Sequence, residues 1–131
     1  MKGYIANIEQ LTLENEEFRK VLYTGKHSQL VVMSIVAGGD IGEEVHTLDQ
    51  FIRCEEGEGK AILDGVEHVV TDGTVVIVPA GARHNIINTS TSDAMKLYTL
   101  YAPPAHKDGT VHHSKADAEA NEEHFDGVTS E

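Results

Sequence analysis

The 131-residue sequence contains a single cysteine, Cys54. No intramolecular disulfide is available to it, which fits a reducing compartment and a cytoplasmic location. Basic residues are also scarce: 10 lysines and arginines stand against 22 aspartates and glutamates, a formal charge of −12. Nucleic-acid binding needs a basic footprint to displace phosphate counterions, so neither DNA nor RNA is expected as a partner. An anionic membrane surface is disfavoured for the same reason. Apolar runs are short, well under the ~18 residues a membrane-spanning helix needs. Met1-Lys2-Gly3-Tyr4 leads into mixed sequence, so no secretory signal is expected. A Gly-x-Ser-x-Gly elbow and the Gly-rich phosphate loops are missing as well, which argues against nucleophilic hydrolysis and nucleotide binding.

What is present is β pattern. Phe18–Tyr23, Leu30–Val36, Gln50–Cys54, Lys60–Leu63, Val66–Val70, Val75–Val78, His84–Asn88 and Met95–Tyr101 are rich in branched and aromatic residues. Gly38-Gly39, Gly57, Gly59, Asp72-Gly73, Pro79-Ala80-Gly81 and Pro103-Pro104 punctuate them. Asp64-Gly65 between two strands signals a tight hairpin, because a type I′ turn needs positive φ at both positions. Short strands at regular spacing predict an all-β sandwich or barrel in one domain, residues 1–104. A single helical turn is expected near Glu9–Glu17. From Ala105 the chain changes character, with Lys107 and Lys115 against seven acidic side chains and few large apolar groups. Residues 105–131 therefore read as an acidic, weakly packed tail. Its one helical candidate starts at Ser114, with Asp117 placed for a capping box.

Two segments carry the chemistry. In the first, five residues separate Gly38 from Glu44; His46 follows two positions on, Gln50 after three more residues and Gly57 after six. In the second, five residues separate Gly73 from Pro79; then come Gly81, His84 after two residues and Asn88 after three. Residues two apart on a strand point the same way, so Glu44 and His46 share a face, as do Gln50, Ile52 and Cys54.

These segments resemble the two signature motifs of the cupin superfamily, over residues 30–101. The second matches at every defining position. The first keeps the spacing but replaces the usual His-x-His and Glu with Glu44, His46 and Gln50. The resemblance implies a double-stranded β-helix, or jelly roll, holding one divalent transition metal ion per chain: iron, manganese, nickel or zinc. Glu44, His46, Gln50 and His84 are the implied ligands. One carboxylate and two imidazoles with open positions is a ligand type of non-haem iron enzymes. Gln50 offers a neutral, weaker oxygen, either to the ion or to a substrate. The chain is also similar to small bacterial single-domain cupins with a Glu-Glu-x-His segment, Asp-Gln-Phe and a Tyr-x-Pro-Pro strand end, often labelled sugar-phosphate-isomerase-like.

Other residues have plainer roles. Asn88 is expected to tie strand ends together, Cys54 to pack as a small apolar group, and Arg53 to form a surface ion pair. Either Tyr98 or Tyr101 lines the interior. His112 and His113, in the acidic tail, read as adventitious donors. Three functions stay open at this level: a metal-dependent isomerase or dioxygenase acting on a small oxygenated substrate, a non-catalytic module binding a metal and a sugar or anion, and a barrel that has lost its metal. The general base is unassigned. Exposed strand edges make a homodimer the expected assembly.

Overall fold

A computed structural model describes all 131 residues. Its elements are α1 (Ile8–Glu14), β1 (Arg19–Thr24), β2 (Gln29–Ile35), β3 (Glu44–Val45), β4 (Asp49–Glu56), β5 (Gly59–Leu63), β6 (Val66–Val70), β7 (Val75–Val78), β8 (Arg83–Asn88), β9 (Met95–Ala102), β10 (Val111–His112) and α2 (Lys115–Ala120). Every pairing is antiparallel. One six-stranded sheet runs β10-β1-β2-β9-β4-β7 and one four-stranded sheet runs β3-β8-β5-β6. This is the expected cupin jelly roll, and each predicted strand is found within a residue or two of its place.

Alternation builds the core. Along β4, Gln50, Ile52 and Cys54 are buried while Phe51, Arg53 and Glu55 are half-exposed. On β9, Met95, Leu97, Thr99 and Tyr101 take the inner face. Met95, Leu97 and Tyr101 meet Met33 and Ile35 of β2 and Ile86 of β8 in one apolar cluster. Each such side chain contributes roughly 1.5–3 kcal/mol on burial. The hairpin at Asp64-Gly65 has φ of 47° and 83°, the left-handed pair the turn requires. Asn88 ties strands as expected: its Nδ2 donates to the carbonyls of Ile35, Val36 and Asp93, and its Oδ1 accepts from the Ser90 amide.

The segment after Pro104 packs more closely than its composition suggests. Gln29, fully buried, accepts at Oε1 from the amides of Ala105 and His106 and donates from Nε2 to the His106 carbonyl. Beyond that grip, β10 pairs with β1, and Thr110, His112 and Ala118 are buried. Ser114 caps α2 through its Oγ, which accepts from the Asp117 amide at 3.0 Å. Polar anchors and backbone pairing, rather than large apolar groups, hold this segment, so a count of apolar residues understates its order.

Candidate metal centre

Pairing of β3 with β8 sets Glu44 directly opposite His84. Opposed residues share a face of the sheet, with Cβ atoms ~5 Å apart. His46 lies two positions past Glu44 and keeps the same facing. Its carbonyl accepts from the Gly81 amide at 2.7 Å, which fastens the loop after β3 to the Pro79-Ala80-Gly81 corner. Gly81 sits at φ 90°, a conformation side chains rarely adopt, so the corner needs glycine there. Two sequence-distant motifs are joined at this point.

One donor atom from each of Glu44, His46 and His84 lies within 4.8 Å of the others. The imidazole centroids of His46 and His84 are 5.0 Å apart, with planes at 50°. Donors about 2.1 Å from a shared ion sit roughly 3–4 Å apart, so small side-chain adjustments would complete such a site. Nδ1–H of His84 donates to the Ala82 carbonyl at 3.0 Å, leaving Nε2 with its lone pair free. A backbone partner of this kind commonly orients a ligating histidine. Nε2 of His46 lies 2.8 Å from Oε2 of Glu44, yet the contact misses hydrogen-bond geometry and the buried nitrogen has no other partner. A carboxylate oxygen and an imidazole nitrogen this close can share a proton or a cation. Burial alone would raise the Glu44 pKa, but the contact with His46 and the fields of Arg19 and His84 outweigh it and hold the carboxyl below its usual value.

Gln50 stands on the other sheet, with its side chain buried. Its Nε2 donates to Thr99 Oγ1 at 3.0 Å, and its Oε1 has no partner. Its neighbour across the strands is Tyr101. The Tyr101 ring meets His46 edge-on at 6.2 Å and His106 edge-on at 5.2 Å. Tyr101 is thus the interior tyrosine, while Tyr98 stacks on Phe51, away from the core. Burial pushes the Tyr101 phenol above its usual pKa. Burial, aided by the Arg19 charge, pushes His106 down to about 3, so its ring is neutral at physiological pH.

A cavity of about 470 Å³ opens beside Glu44 and His46, lined by Arg19, Glu44, His46, His106, His112 and Lys115 among others. Arg19, His106, His112 and Lys115 lie outside the two motifs. Arg19 shares the inward register of Val21 at the head of β1, a pattern readable in the sequence but easily taken for a surface arginine. His106 and His112 come from the segment after the last long strand, and nothing local marks them. Cys54 is buried and its thiol is pushed up to about 11, first by burial, so it is an inert packing group.

Comparison with known proteins identifies the family and the fold. The model of the cupin domain matches residues 31–101. An uncharacterised Bacillus subtilis protein, YrkC, is 45% identical over 129 residues, spanning 93% of this chain and 69% of that one. The crystal structure of BH2720 from Bacillus halodurans superposes with a TM-score of 0.89 at 43% identity, covering 92% of this chain and 96% of that one. A cupin from Shewanella frigidimarina described as RmlC-like superposes at 0.60 with 24% identity, over 65% of this chain and 74% of that one, and shares the fold.

Proposed function

The chain belongs to the cupin family, and from that premise we propose that Glu44, His46 and His84 hold one divalent transition metal ion, iron, manganese, nickel or zinc, in an enzyme acting on a small oxygenated substrate. The observation that carries the reading is the convergence of one donor atom each from Glu44, His46 and His84 within 4.8 Å of one another, beside a His84 ring whose other nitrogen is anchored. Gln50 supplies a fourth, neutral oxygen from the facing sheet, to the ion or to the substrate. When bound, the ion supplies Lewis acidity toward a carbonyl or enolate oxygen or, as iron(II), reactivity toward dioxygen.

The chain's own groups favour turnover over storage. Tyr101 stays protonated and His106 neutral, two hydrogen-bonding groups beside the donor cluster. An isomerase- or dioxygenase-like reaction needs such groups to hold an oxyanion and position a proton. A module that only retains its ligand needs little beyond the ligand set. The chain is proposed to work in the cytoplasm, as a homodimer through the outer sheet face, where Val75, Ile77 and Leu100 are exposed around Phe51.

Metal analysis of protein purified without oxygen tests the centre. Close to one transition-metal ion per chain is expected in the wild type and less than about a tenth of that in His84→Ala, because loss of one of three strong donors opens the site. Retention of metal by the variant, or failure of the wild type to bind iron(II), nickel(II) or zinc(II), refutes the assignment.

A further inference from the structure

Arg19 is 7% exposed and makes no ion pair with any carboxylate. The pairing of β1 with β10 sets it directly opposite His112. Its Nη1 donates to Nδ1 of His112 at 3.2 Å, and His112 Nε2–H donates in turn to the Asn121 carbonyl at 3.0 Å. The guanidinium carbon sits 5.3 Å from the centroid of the Phe18 ring. His112 and Phe18 thus fix its position and the Tyr101 phenol lies within its hydrogen-bonding reach, but its Nε has no partner. A guanidinium offers five donors in a planar fork, and one imidazole nitrogen and one phenol oxygen cannot satisfy them. Buried charge without a counter-ion is costly, so a ligand of opposite sign would relieve it.

The other polar groups of the cavity do not fill that role. Lys115 is already engaged by Asp40. Glu119, Glu122 and Glu123 are exposed at the mouth. They place negative charge where a ligand enters, which disfavours a dianion such as phosphate more than a singly charged ligand. His106 presents a buried Nε2 without a partner in the same cavity. The Arg19 charge acts on the Glu44 carboxylate, and a cation bound there would cancel that carboxylate's charge and leave the arginine in excess.

Resting on the metal-centre reading above, we propose that Arg19 is the carboxylate-binding group of the cavity, and that the ligand is a small monocarboxylate with a second oxygen able to reach the Glu44–His46–His84 centre. His112 is its positioning residue.

Glycolate, its neutral isostere glycolamide and inorganic phosphate serve as probes in calorimetric titrations, with metal content measured on the same samples. Glycolate is expected to bind wild type at least tenfold more tightly than glycolamide, and more tightly than phosphate. Arg19→Gln should lose about tenfold or more in glycolate affinity, the scale of a charge-assisted hydrogen bond. Glycolamide affinity and metal content should stay within twofold, and Arg19→Lys should recover part of the loss. Equal glycolate affinity in wild type and Arg19→Gln at equal metal content overturns the role of Arg19 and leaves the metal centre standing. If wild type binds no metal, the metal reading fails; the same comparison on metal-free protein then decides, and no glycolate preference over glycolamide overturns the proposal. Should Arg19→Gln not fold, metal-free Glu44→Gln replaces it: removing the opposing charge should raise glycolate affinity several-fold, and an unchanged or lower affinity overturns the proposal.

Discussion

Replacing Gln50 with Glu should make the stability of the protein depend on metal. Gln50 is 4% exposed, its Nε2 is spent on Thr99 and its Oε1 is unpaired. The substitution keeps the shape and exchanges an amide nitrogen for a charged oxygen. Without metal, a second carboxyl is desolvated in an interior that already holds Glu44, so the new group titrates above its usual value. Losing the donor to Thr99 and burying the new charge should together cost about 2–3 kcal/mol at pH 7. For a domain of this length that lowers Tm by roughly 8–12 °C. A folded-state pKa above the unfolded one means the penalty is absent below about pH 4 and grows as pH rises through the shifted value. With metal, the anionic oxygen becomes a stronger donor than the amide. Affinity should rise at least tenfold, about 1.4 kcal/mol. Saturation at a hundredfold excess over Kd adds about 2.7 kcal/mol to any variant, so the gain of Gln50→Glu should exceed that of wild type at equal free metal. Thermal melts of chelator-treated and reloaded protein, with competition for a metal indicator dye, measure both arms. Equal metal-induced gains and unchanged affinity would show that Gln50 does not coordinate.

The remaining predictions concern the frame around the site. His106 has a folded pKa lowered to about 3, so its contribution is full above the unfolded value near 6.5 and drains as pH falls below it. At pH 5 the loss amounts to about 2 kcal/mol, and His106→Asn should flatten urea-derived stability between pH 7 and 5; parallel profiles would contradict the burial argument. Asn88→Ala strips three backbone carbonyls and one amide of their partner and should cost about 3 kcal/mol in guanidinium denaturation. Gly59→Ala would press a Cβ into the Ile87 carbonyl and the Met95 methyl and should cost about 2–3 kcal/mol, whereas Gly65→Ala, with open space but φ of 83°, should cost only about 1 kcal/mol.

Much of this protein was legible in its linear order. Period-two alternation located Gln50, Ile52 and Cys54 on one face of β4, because side-chain direction along a strand is a local property. Asp64-Gly65 declared its hairpin, since positive φ is a matter of single residues. Resemblance of the two motifs to those of cupins proposed Glu44, His46, Gln50 and His84 as partners, and chain separation within each motif fixes which of them can share a face. The two-residue strands β3 and β10 were missed, as each is too short to show any period.

The packing of residues 105–120 was also hidden. Gln29 holds that segment from 76 positions away, and no composition window registers a hydrogen bond of such reach. Sequence alone therefore determined the strands, the turns and which residue types could serve an ion. Only the closed barrel decided that Glu44 faces His84, that Tyr101 rather than Tyr98 turns inward, and that Arg19, His106 and His112 join one cavity. Convergence from separate strands depends on sheet pairing and closure, which are properties of the whole chain.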